Sequence, residues 1–248
     1  MNHMSHQQVI FIDQAAAGYK DLVRDMADCL RKRQVVPFLG AGISFETPSC
    51  LPMARQFVEP LVDVLWRSGE TAFREIQPSP NDVKRLESVL RDARMERLLD
   101  ALCQAYGEEA LDYLSPLASE CWNPNHGAIA AIAKEGLLRW CITLNFDLLL
   151  ESAAYAHGVA SHTVCPILDR SFSVGSGAMS LKIVKPHGSF VPADSQYRKH
   201  ELLSATLSQV GSRPAKRNIK VFTEVLARII HRSGLSRSCE GFCEGIYG

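Results

Sequence analysis

The chain has no excess charge of either sign: 27 Lys and Arg face 27 Asp and Glu. No global field therefore draws nucleic acid or an anionic membrane towards it, and neither is expected as a direct partner. It has no uninterrupted apolar run of the ~20 residues that a bilayer-spanning helix needs. The opening residues, MNHMSHQQVIFIDQ, lack a basic segment followed by an apolar block, so no secretory signal is expected and a cytoplasmic location is. The Cys-x-x-Cys spacing is missing as well. Six of the eight cysteines (29, 50, 103, 121, 141, 165, 239 and 243) stand singly, some inside apolar stretches such as Trp140-Cys141-Ile142. That pattern reads as buried small hydrophobes. Cys239 and Cys243 form the one cluster, without a second pair or a nearby His, which makes a poor tetrahedral site; no zinc or other metal is expected. Internal repeats and low-complexity tracts are also missing.

What is present is an ordinary globular composition, 46% hydrophobic and 22% charged over 248 residues, long enough to bury a real core. Residues 14 to 34 place Ala17, Leu22, Met26 and Leu30 at helical spacing among charges, predicting an amphipathic helix. Val35 to Leu39 is a short apolar run ending in Gly40-Ala41-Gly42, the pattern of a buried strand feeding a tight turn. A second helix is predicted from Pro52 to about Ser68, with Phe57, Leu61, Val64 and Leu65 on one face. About residues 70 to 122 read as a charged helical insertion, broken near Pro78, Pro80 and Pro116.

Alternation of helix and strand then returns. A helix over 126 to 135 stops at Gly136, Leu138 to Leu144 reads as a strand, Leu148 to Ala156 as a helix, and Leu181 to Val184 as a further strand. Periodicity is weak from about residue 211, apart from a helix around Val221 to Ile230. These elements predict an α/β fold: a Rossmann-like parallel sheet flanked by helices, with a helical insertion, in one domain spanning residues 1 to 248.

Three predicted strands end in chemically capable tips, and open parallel sheets bind ligands at the carboxyl ends of their strands. The first tip is GAGIS, Gly40 to Ser44. Its glycines allow a sharp turn and close approach to a pyrophosphate, and its N–H groups are phosphate donors. It departs from the dehydrogenase fingerprint, because Phe45 stands at the third glycine and Glu59 is a weak ribose-binding acid. A plain connecting turn is the alternative. The second tip, Thr143-Leu144-Asn145-Phe146-Asp147, offers an amide and a carboxyl for a ribose hydroxyl, a carboxamide or a water. Taken alone, it is better explained as helix capping. The third, Lys185-Pro186-His187-Gly188-Ser189, carries an imidazole able to exchange protons near neutral pH, with Gly188 leaving space beside it. A hydrogen-bonded loop histidine is the alternative there. His126 reads as a helix-start residue.

Together and in this order, Gly40 to Ser44, Thr143 to Asp147 and His187-Gly188 resemble the GAG[IV]S, T-x-N-x-D and HG motifs of the sirtuin-like family, over about residues 30 to 190. The four-cysteine zinc module of the protein deacetylases has no counterpart here. The stretch Asn125 to Ala133, the NFD form of the second motif and KPHGS look like the bacterial NAD-hydrolysing branch, often found in antiphage defence systems, where NAD depletion halts an infected cell. The nearest counterpart of the family's later G-[TY]-S turn is Ser233 to Ser236.

The resemblance implies an NAD+ glycohydrolase with NAD as substrate. Asn145 and His187 would be catalytic. Gly40, Ala41, Gly42, Ser44, Thr143, Asp147, Gly188 and Ser189 would bind the dinucleotide. A homo-oligomer and an ATPase or Argonaute-like partner are further expectations, with low basal activity because unregulated NAD loss would poison the host. The competing expectations are an NAD-dependent protein deacylase and a non-catalytic module that binds NAD or ADP-ribose and signals to a partner.

Overall fold

The structure is a computed structural model. It describes residues 19–53, 94–193 and 201–206, together with single positions at Gln56, Val58, Asn81, Lys84, Ser88, Gln209 and Thr223. The predicted helix after Pro52, the first part of the insertion, Glu59, Cys239, Cys243, Ser233 to Ser236 and the helix around Val221 to Ile230 lie largely or wholly outside the described residues.

In chain order the described elements are α1 (Tyr19–Arg31), β1 (Phe38–Leu39), a 3-10 turn (Ala41–Ser44), α2 (Met95–Tyr106), a 3-10 segment (Glu108–Leu117), α3 (Pro124–Lys134), β2 (Trp140–Thr143), α4 (Leu149–Ala156), β3 (Ala160–Cys165), a 3-10 turn (Pro166–Leu168), β4 (Arg170–Val174) and β5 (Ser180–Val184). The strands form one sheet in the order β1-β2-β5-β3-β4. β1, β2, β5 and β3 run parallel, while β4 pairs antiparallel with β3 at one edge. The chain is therefore α/β, with a mostly parallel sheet flanked by helices; the sheet predicted as parallel has one antiparallel edge strand.

Local chemistry explains where the elements stop. Asn123 caps α3 by accepting the N–H groups of Asn125 at 3.1 Å and His126 at 3.3 Å, and Pro124 fills the first helical position, where its missing donor costs nothing. Gly136, at φ 68°, turns the chain out of α3 as predicted, although the helix begins two residues earlier than its periodicity indicated. In the region read as an insertion, α2 gives way to a 3-10 segment containing Pro116, which has no N–H for an α-helical ladder. α1 is amphipathic in sequence, yet Met26 is exposed and Leu22, Ala27 and Leu30 are no more than half-buried.

Two apolar clusters fix the frame. Cys141, Leu181 and Ile183 on one sheet face pack against Ala133 of α3 and Leu150 and Ala154 of α4. Beyond the strand ends, Leu99 and Leu102 of α2 join Leu111 and Leu114 of the 3-10 segment, Phe190 and Leu203. This second cluster holds α2 beside the strand tips, so the helical segment builds part of the rim.

Candidate functional site

Because β1, β2 and β5 are parallel neighbours, their carboxyl ends lie side by side, and the three predicted tips meet at one edge of the sheet. There they line a cleft of about 270 Å³. Gly40, Ala41 and Ser44 come from the first tip, Asn145 and Asp147 from the second, and His187 from the third. Leu51, Met95, Leu117, Leu144 and Phe146 supply apolar wall, and Glu96 of α2 adds a second carboxyl. A Cβ built on Gly40 or Gly42 would meet nothing within 4 Å, so the backbone of this turn is open to close approach.

The polar centre of the site is the Ser44 hydroxyl, almost completely buried. It donates to Asp147 Oδ2 at 2.9 Å, accepts from Asn145 Nδ2 at 3.1 Å and lies 3.2 Å from His126 Nε2. The His126 tautomer follows from its other neighbour. Asn123 Nδ2 donates to the carbonyls of Ile43 and Glu46, which leaves Asn123 Oδ1 facing His126 Nδ1 at 2.8 Å. Nδ1 is therefore the protonated nitrogen, since this contact is much shorter than the 3.4 Å one from the Asn123 N–H. Burial lowers the pKa of His126 against the opposing pull of Asp147, so the neutral ring presents the Nε2 lone pair to Ser44.

Asp147 serves two elements at once. Oδ1 accepts the Leu149 N–H at 3.2 Å, at the head of α4, while Oδ2 takes the Ser44 hydroxyl. The capping role and the place at the cleft are both filled by one carboxyl. Thr143 acts on the backbone: its Oγ1 accepts the Asn145 N–H at 3.1 Å and sets the direction of the second tip.

Beneath the tips lies a charged pair shielded from water. Lys185 Nζ is 2.9 Å from Glu151 Oε1, and Thr163 donates to the same oxygen at 2.7 Å. The ammonium also donates to the Asp147 carbonyl and, at 2.9 Å, to Ser189 Oγ. Its three protons thus link α4, the second tip and the third tip. Glu151 Oε2 is buried without a partner.

His187 sits at the cleft on a loop fastened by backbone bonds: Ser204 N–H donates to the His187 carbonyl at 2.9 Å and Ser189 N–H to the Leu202 carbonyl at 2.8 Å. Gly188, at φ 85°, would bring a Cβ within 1.9 Å of Leu202 O. The glycine expected to leave room for a ligand is instead required by the neighbouring chain. Burial lowers the His187 pKa, with the Glu96 charge pulling the other way, so the imidazole is a neutral acceptor at neutral pH.

Of the ten predicted site residues, Gly40, Ala41, Ser44, Asn145, Asp147 and His187 line the cleft. Gly42, Thr143, Gly188 and Ser189 do not; the last three support its frame. Sequence reasoning missed Asn123, Glu151 and Glu96 and gave His126 only its helix-start role. His126 does stand in the first turn of α3, its N–H and its ring both bonded to the Asn123 side chain, and Asn-Pro-Asn-His was the legible signal of that helix start; the reach to Ser44, 82 positions away, was not. The cysteine expectation needs correction: Cys141 and Cys165 are buried, with thiols pushed up to about 12 chiefly by desolvation, but Cys29, Cys50 and Cys121 are exposed. The exposed three sit on α1 or in connecting segments, where no apolar layer among the described residues covers them. Among the described residues no cluster of three or more His, Cys, Asp or Glu could hold a metal ion, and no helix is long and apolar enough to cross a membrane. No protein-family model matches the chain, and no curated protein matches it.

Proposed function

We propose that the chain is a Rossmann-like, sirtuin-like NAD+ glycohydrolase that cleaves the nicotinamide–ribose bond to give nicotinamide and ADP-ribose. The observation that carries this reading is the convergence of an open glycine turn, an amide and a neutral imidazole on one cleft at the ends of three adjacent parallel strands. The cleft is near the small end of the roughly 300–1,000 Å³ typical of ligand sites, which suits the reacting half of a dinucleotide. Gly40 and Ala41 border the open turn that would receive the pyrophosphate.

Cleavage breaks the C–N bond with its electron pair passing to the nicotinamide ring, which leaves neutral; water then adds to the ribosyl carbon and loses a proton. The leaving group starts as a cation and needs little acid help, so the protein's work is positioning and charge stabilisation. Asn145, held by Thr143 and Ser44, orients the ribose and the water. His187 accepts a proton from that water or from a ribose hydroxyl, and burial keeps it in the accepting form. Asp147 contributes through the Ser44 hydroxyl and fixes the second tip against α4. In this reading the protein acts in antiphage defence, as an oligomer controlled by assembly or by an ATPase or Argonaute-like partner.

The test is to incubate the purified full chain with NAD and follow free nicotinamide and ADP-ribose by chromatography. Turnover is expected without any acylated peptide. Asn145→Ala and His187→Ala should each lose about a hundredfold or more in rate, with circular dichroism and melting unchanged. Full turnover in either variant overturns the residue assignment. O-acyl-ADP-ribose formed only with peptide would make the protein a deacylase, and binding without turnover would make it a sensor module.

A further inference from the structure

The opposite end of the sheet carries a second cavity, of about 440 Å³, where β2 and β5 begin. Two turns build it. Arg33 leaves α1 in the left-handed conformation, at φ 57°, and Gly136 leaves α3 at φ 68° with Met179 packed so close that a Cβ would meet its Cε at 2.5 Å. The turns bring Arg33 and Arg139 to the rim, and Lys182 projects from β5 beside them. Val36, Leu137 and Met179 form apolar wall.

The charge of the described lining is one-sided. Among the described residues all three cations are exposed, none makes an ion pair, and none that lines the cavity is acidic. In a chain of zero formal net charge, such a concentration creates a local positive field that the whole molecule lacks. Lys182 is also restrained: it is in register with Trp140 across the β2–β5 ladder, and its ammonium lies 4.8 Å from the centre of the Trp140 ring. Two guanidinium forks and one ammonium around a bounded cavity match the oxygens of a phosphoryl group, while the apolar wall and the indole suit a flat ring. The volume falls within the range of roughly 300–1,000 Å³ for small-molecule sites, enough for a mononucleotide.

We propose that this cavity binds a nucleoside monophosphate, with Arg33, Arg139 and Lys182 holding the phosphate and Val36, Leu137, Met179 and Trp140 packing against the nucleoside. The site stands at the far end of the strands from the strand-tip cleft and needs no chemistry there.

Isothermal titration of the full chain with AMP, adenosine and inorganic phosphate tests it. AMP should bind at least roughly tenfold more tightly than adenosine or phosphate alone, and more weakly as salt rises. Arg139→Glu should lose at least about tenfold in AMP affinity while its circular dichroism and melting stay those of the parent. Lys182→Gln and Arg33→Gln carry the same test if Arg139→Glu folds poorly. AMP that fails to bind at millimolar concentration, adenosine that binds as well as AMP, or full AMP affinity in the charge variants overturns the proposal. Affinity for single-stranded oligonucleotides that climbs with their length also overturns it, since that marks an extended basic surface rather than a site for one nucleotide.

Discussion

The Ser44 hydroxyl has one proton and two acceptors within reach, Asp147 Oδ2 and the His126 Nε2 lone pair, and the shorter contact goes to Asp147. That balance depends on His126 staying neutral, and the same holds for His187 as an acceptor. Both imidazoles have pKa values lowered by burial, so the native state binds fewer protons than the unfolded chain in the window below the ordinary histidine value. Their contribution to stability is complete above about pH 6.5 and is lost as pH falls through the lowered native values. Denaturant midpoints measured at about pH 7.5 and about pH 5.5 should therefore fall on acidification, and His126→Gln should show a smaller fall than the parent. An identical acid sensitivity in the variant would remove His126 from this account. In the sequence, the helix-start place of His126 beside the Asn123 cap is readable because a cap is a local device. Its approach to Ser44 depends on how α3 crosses the first tip, which no spacing encodes.

Single elements carry the Lys185–Glu151 pair, which ties the head of α4 to the end of β5. Two charges removed from water repay their desolvation only through good geometry, and removing one partner strands the other. Lys185→Met should cost roughly 3–5 kcal/mol, and the double variant Lys185→Met with Glu151→Leu should recover much of that loss. Equilibrium unfolding of the three proteins checks it; additive losses would mean that the two side chains do not act as a unit. The elements also mark the limit of what the sequence discloses. β2 and β5 were legible as apolar runs because α3 and α4 pack on them. β3 and β4 were not anticipated. ASHTVC alternates buried and half-exposed positions and presents Ser161 and Thr163 inwards, so its apolar signal is weak. RSFSV lies at the edge with its side chains largely exposed. The strand order, with β5 between β2 and β3, is equally silent in the sequence, yet it brings Asn145 and His187 to one cleft.

At the scale of the whole molecule, the cluster around Leu99, Leu102, Leu111 and Leu114 joins α2 and the 3-10 segment to Phe190 and Leu203, and so to the loop that carries His187. Leu99 is fully buried; Leu99→Ala should destabilise the protein by roughly 2–5 kcal/mol. Met95 and Leu117 pack on this cluster and line the cleft, so the variant should lose more of the proposed turnover than a destabilised variant of the core between the sheet and helices α3 and α4, such as Ile183→Ala. Assay well below both melting points separates the two effects, and equal losses would confine the cluster to a stability role. The histidine loop shows how this coupling is made. His187 and Ser189 are each stitched through main-chain atoms to a segment further along the chain, on either side of a glycine that cannot accept even a methyl group. The imidazole thus inherits its coordinates from that distant stretch. The identity of the stretch's side chains matters little to the stitches, whereas one added carbon at position 188 would unpick them and set the imidazole adrift.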